Sequence, residues 1–351
     1  MNESKFLSEF EKRIKEILCQ IPSLTIINTS FNTRIFSDYK ADLVIELSYS
    51  NKKITLIGEI KKVGEPRYIR SSIQQLSSYI AQIPNAYGII AASFISERTG
   101  EICKNANFGY IDLSGNCYLS FNSIYIEKKN FLNIFKEKKE VKSLFSRKAS
   151  RILRALLTET EKTWTQKNLS EKSETSIGLT NRLVKKLYEL EYIDFDQNKT
   201  ISIKNPSKLL DIWRESYSYK DNQIVGHYSP MSQNEFETRL LKYMEKRPED
   251  QYAFTLFSGA SLIAPYVRQA QTFFYFLGNE ENLKKEMDLK PVASGANVLI
   301  LSPYDEGVFY APQIISGRTV VSNVQLYLDL YNYKGRGREQ AEHLRENILK
   351  F

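Results

Sequence analysis

Two strand-like segments separated by a short polar run constrain the fold of this 351-residue chain more than any other feature. Residues 41–47 and 54–60 are rich in apolar and β-branched side chains, which favour strands. The six residues between them, 48–53, are turn-prone. The sequence therefore predicts an antiparallel hairpin, in which the turn fixes the pairing of the two strands.

The pairing register of this hairpin brings charged residues together. If the turn centres on Ser50 and Asn51, Asp42 lies opposite Glu59, and directly opposed residues share one face of a sheet. Lys61 lies on the same face as Glu59, because strand side chains alternate with a period of two. We therefore expect two carboxylates and a lysine to converge at one end of the hairpin.

The segments around the hairpin predict an α/β domain with the element order α-β-β-β-α-β, followed by short closing strands. Apolar residues recur at helical spacing from Phe6 to Ile17, which predicts an opening helix. The further expected elements are strands at 24–28, at 86–92 and within 109–126, and helices at 69–80 and 96–106.

Two carboxylates on neighbouring strands are the oxygen ligands that Mg²⁺ or Mn²⁺ prefers. A lysine beside them can orient an attacking water, and a bound metal would lower the pKa of that water. The chain has only two histidines, so hydrolytic chemistry would rest on carboxylates and lysine. A Glu-x-Lys pair on an exposed strand is also typical of a solvated ion pair, which is the alternative interpretation of Glu59 and Lys61.

Asp42 followed by Glu59-Ile60-Lys61 resembles the signature of PD-(D/E)xK nucleases, which have a restriction-endonuclease-like fold. Ala41 stands where the signature has proline. Gln75 and Tyr79 are similar to the Gln-x-x-x-Tyr element of the RecB-like branch, and a spacing of four puts both on one helical face. The resemblance implies metal binding by Asp42 and Glu59, and catalytic roles for these two residues, Lys61, Gln75 and Tyr79.

The basic excess of the chain is confined to its first two segments. Residues 1–145 hold 20 basic and 15 acidic residues, residues 146–205 hold 12 and 8, and the remainder holds 17 and 18. Positive charge favours polyanions such as DNA, although it is also common on solvated surfaces. A lysine-rich stretch, 131–145, lacks glycine and proline and predicts a linking helix.

The segment 146–218 has the element order of a winged helix. Two short helices are expected around 152–157 and 164–169, and a third at 175–190 with one leucine stripe. A hairpin at 192–203 follows. In a winged helix the third helix enters the major groove of DNA and the wing touches the backbone.

The expected DNA contacts are basic and amide side chains on the first helix, on the exposed face of the third helix and in the wing. Arginine and asparagine can contact base edges, and lysine can contact phosphates. A helical protein-interaction module is the alternative interpretation. The predicted contact residues are Lys148, Arg151, Asn181, Arg182, Lys185 and Lys199.

Residues 219–351 alternate helices and strands and predict a C-terminal α/β domain, with strands expected at 253–258 and 307–310 among others. Together with the winged helix they resemble the AbiEi-like antitoxins of type IV toxin-antitoxin systems. The residues that carry this resemblance are 175–193, 258–265, 327–332 and 335–344. It implies DNA-bound transcriptional repression, and a cognate toxin or another defence-system protein as partner.

The three cysteines form an odd set without Cys-x-x-Cys spacing, which favours the reducing cytoplasm. The amphipathic N-terminus is not a signal peptide, and no apolar stretch is long enough for a membrane span. A homodimer is compatible with both resemblances.

These predictions define a multidomain α/β protein with boundaries at 1–130, 131–145, 146–218 and 219–351. The first hypothesis for its function is a Mg²⁺- or Mn²⁺-dependent DNA endonuclease of a prokaryotic defence or DNA-processing system, brought to double-stranded DNA by the winged helix. The alternative hypothesis is a non-catalytic transcriptional regulator or type IV antitoxin that binds operator DNA.

Overall fold

The computed structural model describes residues 3–22, 24–36, 39–135 and 144–351. The chain divides into two compact units. The first comprises Met1–Lys139 and Tyr188–Glu191, and the second comprises Glu140–Leu187 and Tyr192–Phe351. Each unit is described separately below.

The first unit has the predicted element order α-β-β-β-α-β, followed by a third helix and three short strands. The opening helix buries Phe6, Phe10, Ile14 and Ile17, as the apolar spacing predicts. The elements are α1 (Glu3–Leu18), β1 (Leu24–Arg34), β2 (Lys40–Tyr49), β3 (Lys52–Lys61), α2 (Pro66–Ile80), β4 (Ala86–Ala92), α3 (Glu97–Asn105), β5 (Gly109–Asp112), β6 (Cys117–Phe121) and β7 (Ile124–Lys128).

These strands form one mixed sheet in the order β1-β2-β3-β4-β5-β6-β7. The first three strands pair antiparallel, β3, β4 and β5 pair parallel, and the last three pair antiparallel. The apolar side chains of α1 pack with Leu43 and Ile45 on one face. Those of α2 and α3 pack with Ile57 and Ile90 on the other. The sheet is therefore covered by helices on both faces.

The linking helix predicted at 131–145 does not include residues 131–135. Residues 131–135 are not helical, Leu144 is helical, and 136–143 lie outside the described residues. Asn116 accounts for the difference, because its side chain binds both backbone groups of Phe131. Its Oδ1 accepts from Phe131 N at 3.0 Å, and its Nδ2 donates to Phe131 O at 3.1 Å. These bonds fix Phe131 outside a helical conformation.

The second unit begins with three helices and a two-stranded sheet, in the order predicted from the sequence. We call residues 147–203 the three-helix segment; all of it except Tyr188–Glu191 belongs to the second unit. The third helix buries Leu183 and Leu187, as predicted, whereas Leu179 is only partly buried. The elements of this segment are α4 (Arg147–Thr158), α5 (Gln166–Lys172), α6 (Ile177–Glu189), β8 (Ile193–Phe195) and β9 (Ile201–Ile203).

The rest of the second unit is a mixed sheet in the order β13-β10-β14-β12-β11-β16-β15, together with several helices. Its elements are α7 (Pro206–Ser216), β10 (Gln223–Tyr228), α8 (Gln233–Glu245), β11 (Gln251–Phe254), α9 (Leu256–Ile263), β12 (Thr272–Leu277), α10 (Glu280–Glu286), β13 (Lys290–Pro291), β14 (Val298–Ser302), β15 (Gln313–Ile315), β16 (Arg318–Val320), α11 (Asn323–Tyr331) and α12 (Gly337–Leu344).

Two sequence expectations in this region were wrong. A strand was expected at 307–310, but a short 3₁₀ turn, Glu306–Phe309, occupies this position. The Asp305 side chain caps the turn by accepting a hydrogen bond from Gly307 N. The strand expected at 253–258 ends at Phe254, because α9 starts two residues later.

The chain is thus a multidomain α/β protein with mixed sheets, as the sequence predicts at that level. Among its described residues, no helix combines the length and the apolar character needed to cross a bilayer.

Candidate active site

The hairpin of β2 and β3 has the predicted register. The pairs run from Tyr49 opposite Lys52 to Leu43 opposite Gly58. The two turn residues, Ser50 and Asn51, have φ angles of 49° and 62°, which suit a two-residue hairpin turn. Continuing the register by one position places Asp42 opposite Glu59. The turn therefore determines which carboxylates meet at the far end of the hairpin.

Glu59 lies almost fully buried at this end of the sheet, with 4% of its surface exposed. The Tyr39 hydroxyl donates to Glu59 Oε1 at 2.6 Å, and Lys61 Nζ donates to Oε2 at 2.7 Å. A buried carboxylate needs such donors, because an unpaired charge away from water is costly. The two bonds fix the orientation of the Glu59 carboxylate.

Asp42 lies beside Glu59 and is held by the backbone of β3. Ile60 N donates to Asp42 Oδ2 at 2.8 Å, and Lys61 Nζ is 3.9 Å from the same oxygen. Burial raises the pKa of Asp42, and the neighbouring Glu59 carboxylate adds to the rise. The Ile60 N–H and Lys61 act in the opposite direction. Asp42, Glu59 and Lys61 therefore converge, as the hairpin register predicts.

Tyr39 is a member of this site that the sequence analysis missed. Its side chain is buried, and its ring stacks on that of Tyr79 with centroids 4.0 Å apart. Burial and the bond to Glu59 raise the pKa of Tyr39, so its hydroxyl stays protonated and donates. Tyr79 thus supports the site through Tyr39. Gln75, one turn earlier in α2, is exposed, and its side chain forms no hydrogen bond with Asp42 or Glu59 in the described part of the chain.

The donor set fits a hard divalent cation that keeps most of its water. Two carboxylates converge here, whereas the described residues contain no group of three or more His, Cys, Asp or Glu side chains placed to hold a metal. Mg²⁺ is commonly bound by one or two carboxylates, with water and substrate oxygens completing its shell. Asp42 and Glu59 are therefore the residues that would hold Mg²⁺ or Mn²⁺.

The predicted DNA-contact residues on the third helix form an exposed face. Asn181, Arg182 and Lys185 are exposed, while the stripe on the opposite side of α6 is buried. Lys148 in α4 and Lys199 in the β8–β9 turn are exposed as well. In the part of the chain that the structure describes, none of these four cations forms an ion pair. Their charges are available to an anionic ligand.

Arg151 does not belong to that exposed set. Only 5% of its surface is exposed, and its guanidinium donates to Asp305 at 2.6 Å and to Glu174 at 2.7 Å. A buried guanidinium held by two carboxylates has no free donor face for a phosphate. The prediction of a DNA contact at Arg151 is corrected to a structural role within the second unit.

Comparison with protein-family models, with curated proteins and with solved structures gave no match to this chain.

Proposed function

We propose that this chain is a Mg²⁺- or Mn²⁺-dependent DNA endonuclease, whose first unit has a restriction-endonuclease-like fold and whose three-helix segment is a DNA-binding winged helix. The observation that carries the proposal is the convergence of Asp42, Glu59 and Lys61 at the end of two paired strands. Lys61 approaches both carboxylates, at 3.9 Å and 2.7 Å.

The arrangement supports phosphodiester hydrolysis for a chemical reason. A divalent metal at Asp42 and Glu59 would supply Lewis acidity, which activates water and offsets the charge that develops on phosphate. Lys61 would orient the attacking water and donate hydrogen bonds to it. Tyr39 would keep the Glu59 carboxylate in one orientation through its 2.6 Å bond.

The second unit supports delivery of this site to double-stranded DNA. Arg182 and Lys185 are exposed cations on the third helix, and Asn181 on the same face can donate to and accept from base edges. Phosphate contacts of this kind supply affinity and register, and base contacts supply selectivity. The proposal therefore assigns recognition to one unit and cleavage to the other.

Cleavage of plasmid and linear DNA with Mg²⁺ or Mn²⁺ tests the proposal. We expect Asp42→Ala and Lys61→Ala each to lower the cleavage rate by about 100-fold or more, because each removes charge stabilisation at the reacting phosphate. EDTA should abolish cutting by the wild type.

Glu46 and Lys53 provide a matched control at the other end of the same hairpin, where they form a partly exposed ion pair at 2.7 Å. Glu46→Ala and Lys53→Ala change the same strands and the same charges but should leave cleavage unchanged. Equal cutting by all variants, or none by the wild type on every substrate, would reject the proposal.

A non-catalytic transcriptional regulator, such as a type IV antitoxin with a cognate toxin, is the second candidate. The exposed face of α6 favours it, because Asn181, Arg182 and Lys185 need no catalytic site to bind operator DNA. It predicts sequence-selective binding that survives Asp42→Ala and Lys61→Ala, together with an absence of metal-dependent cutting.

A further inference from the structure

We propose that Ile177, Gly178 and Asn181 recognise an adenine and a neighbouring thymine in the major groove of DNA. Asn181 binds the edge of the adenine, Ile177 contacts the 5-methyl group of the thymine, and Gly178 leaves room for the bases. This inference rests on the proposed function, because it names the bases that the DNA-binding segment selects. It assigns roles to Ile177 and Gly178, which are not among the predicted contact residues.

The exposed side of α6 begins with an apolar residue. Ile177 is the first residue of the helix, and 51% of its surface is exposed. The residues that share this side at helical spacing are also exposed, namely Gly178, Asn181, Arg182 and Lys185. Two cations beside an exposed apolar side chain favour an anionic partner over a purely apolar one. The surroundings of Ile177 therefore suit a DNA groove, in which phosphates flank the base edges.

The chemistry of Ile177 and Asn181 matches A·T base pairs. The two residues are one helical turn apart, so their side chains are neighbours on the surface of α6. An asparagine amide can donate to N7 of adenine and accept from its N6 amino group. An apolar side chain is complementary to the methyl group of thymine, which G·C pairs lack. The pair of side chains therefore selects adenine and thymine over guanine and cytosine.

Gly178 has no packing role within the described part of the chain. Apart from its chain neighbours and the backbone of its own helix, no described atom lies within 4 Å of the position that a Cβ atom would take. A glycine in a helix is less stable than an alanine, because its backbone loses more freedom on folding. Without a side chain, however, it lets a base edge approach the helix backbone closely. Such an approach accounts for a glycine that the fold itself does not require.

Hydroxyl groups fix the start of α6. Ser176 Oγ accepts a hydrogen bond from Leu179 N at 3.3 Å. Thr175 Oγ1 lies 2.9 Å from the hydroxyl oxygens of Ser173 and Thr180, and both of these residues are buried. These bonds hold the first turn in one position before DNA binds, and a preorganised surface loses less conformational freedom on binding. The fold itself therefore keeps the recognition residues in place.

Removal of single methyl groups from the DNA tests this inference. The full-length chain, in EDTA so that no cutting occurs, first selects duplexes from a random library. Each thymine of a selected duplex is then replaced in turn by uracil, which pairs in the same way but lacks the methyl group. We expect one replacement to weaken binding by the wild type about fourfold, as the loss of one buried methyl group implies. The same replacement should not change binding by Ile177→Ala.

Two further variants test the other residues. A 7-deazaadenine base, which lacks the N7 acceptor, should weaken binding by the wild type at one position and leave binding by Asn181→Ala unchanged. Gly178→Ala should raise the urea concentration at the midpoint of unfolding, because alanine favours a helix. It should nevertheless weaken binding to the selected duplex about fivefold or more, because the added methyl group displaces the base edge. A purely structural role for Gly178 would instead lower stability and binding together.

Ile314→Ala is the matched control for the loss of an exposed apolar side chain. Ile314 lies in β15, outside the three-helix segment, and 66% of its surface is exposed. Because Ile314 is not part of α6, this variant should keep the wild-type dependence on the thymine methyl group.

The outcomes distinguish this inference from the proposed function. The inference is overturned if the library yields no enriched sequence, if no uracil replacement weakens binding by the wild type, or if Ile177→Ala keeps the wild-type dependence. Each of these results would overturn it even if the wild type cuts DNA. Dependence on the methyl group without cutting in Mg²⁺ would support the inference and reject the nuclease. An absence of binding to any duplex at low salt would reject both, and would leave Ile177 to a protein partner.

Discussion

Asp42 and Glu59 lie side by side although both can carry negative charge. Burial raises the pKa of Asp42 and the facing Glu59 carboxylate adds to the rise, while the Ile60 N–H and Lys61 offset part of it. Two carboxylates that face each other at close range repel, and a bound cation reduces this repulsion. Such a pair is therefore a candidate functional site. Under the proposed function, a divalent cation bound by Asp42 and Glu59 would relieve this repulsion.

We expect Asp42→Asn to stabilise the metal-free protein at pH 7 by about 0.5–1 kcal/mol, a modest value because a third of the side chain is exposed. Asparagine keeps an oxygen acceptor for Ile60 N and removes the charge facing Glu59. The pKa of Asp42 is raised above its ordinary 3.8, so the wild type loses stability relative to the variant as pH rises from about 4.

Urea unfolding followed by circular dichroism at pH 4 and pH 7 measures this difference. Glu46→Gln, on the same strand in a partly exposed ion pair, is the control and should change stability little. A variant that is less stable than the wild type at pH 7 would show that the two carboxylates do not repel each other in the folded chain.

The sequence predicts Asp42, Glu59 and Lys61 because hairpin register is a local property of the turn and the strand alternation. It does not predict Tyr39, whose bond to Glu59 spans 20 residues and depends on stacking against α2. Nor does it predict the burial of Arg151, whose partner Asp305 is 154 residues away. Contacts that depend on tertiary packing leave no local pattern.

At the scale of elements, α6 presents its two sides to different surroundings. Leu183 and Leu187 face the interior of the second unit, and Arg182 and Lys185 are exposed. The 3.6-residue period of the apolar positions is sufficient to predict this division. The same period cannot distinguish Lys148 from Arg151 in α4, because both are basic and only one meets a buried carboxylate.

Replacing Arg182 and Lys185 together by alanine should weaken duplex binding about 10-fold or more at low salt. It should also reduce the magnitude of the salt slope, the slope of log K for duplex binding against log salt concentration, by about 1.8. Both residues are exposed, so the stability of the fold should not change. Arg151→Ala should do the opposite: it should lower the stability of the fold and leave the salt slope of the folded protein unchanged. Fluorescence anisotropy titrations over a range of salt concentrations, together with urea unfolding, would measure both effects.

Equal salt slopes in the wild type and in Arg182→Ala/Lys185→Ala would exclude α6 as a phosphate-contacting helix. A decreased slope in Arg151→Ala would show instead that its ion pairs with Asp305 and Glu174 open when DNA binds.

At the scale of the whole molecule, a buried polar network connects the first helix of the three-helix segment with the C-terminal part of the second unit. Arg154 in α4 is fully buried and donates from Nε to Gln325 Oε1 at 2.8 Å. Gln325 Nε2 donates in turn to the buried Asp329 at 2.9 Å. Tyr217 and Thr255 also donate to Asp329, each at 2.6 Å. One amide thus connects a buried cation with a buried carboxyl group.

We expect Arg154→Met to lower the free energy of unfolding of the second unit by about 3 kcal/mol, since it leaves the buried Gln325 Oε1 without its donor and breaks the network around it. Both tryptophans of the chain, Trp164 and Trp213, are buried in this unit, so their fluorescence during urea unfolding reports it selectively. Arg147→Met, an exposed position on the same helix, is the control and should change stability little.

The double variant Arg154→Met/Asp329→Asn tests whether the network acts as a unit. If Gln325 couples the two buried groups, the double variant should lose less stability than the sum of the two single losses. Additive losses would instead mean that Arg154 and Asp329 stabilise the fold independently, through Tyr304 and Tyr217 respectively. Coupling would explain why the first helix of the three-helix segment belongs to the second unit, because it supplies the cation that the C-terminal core requires.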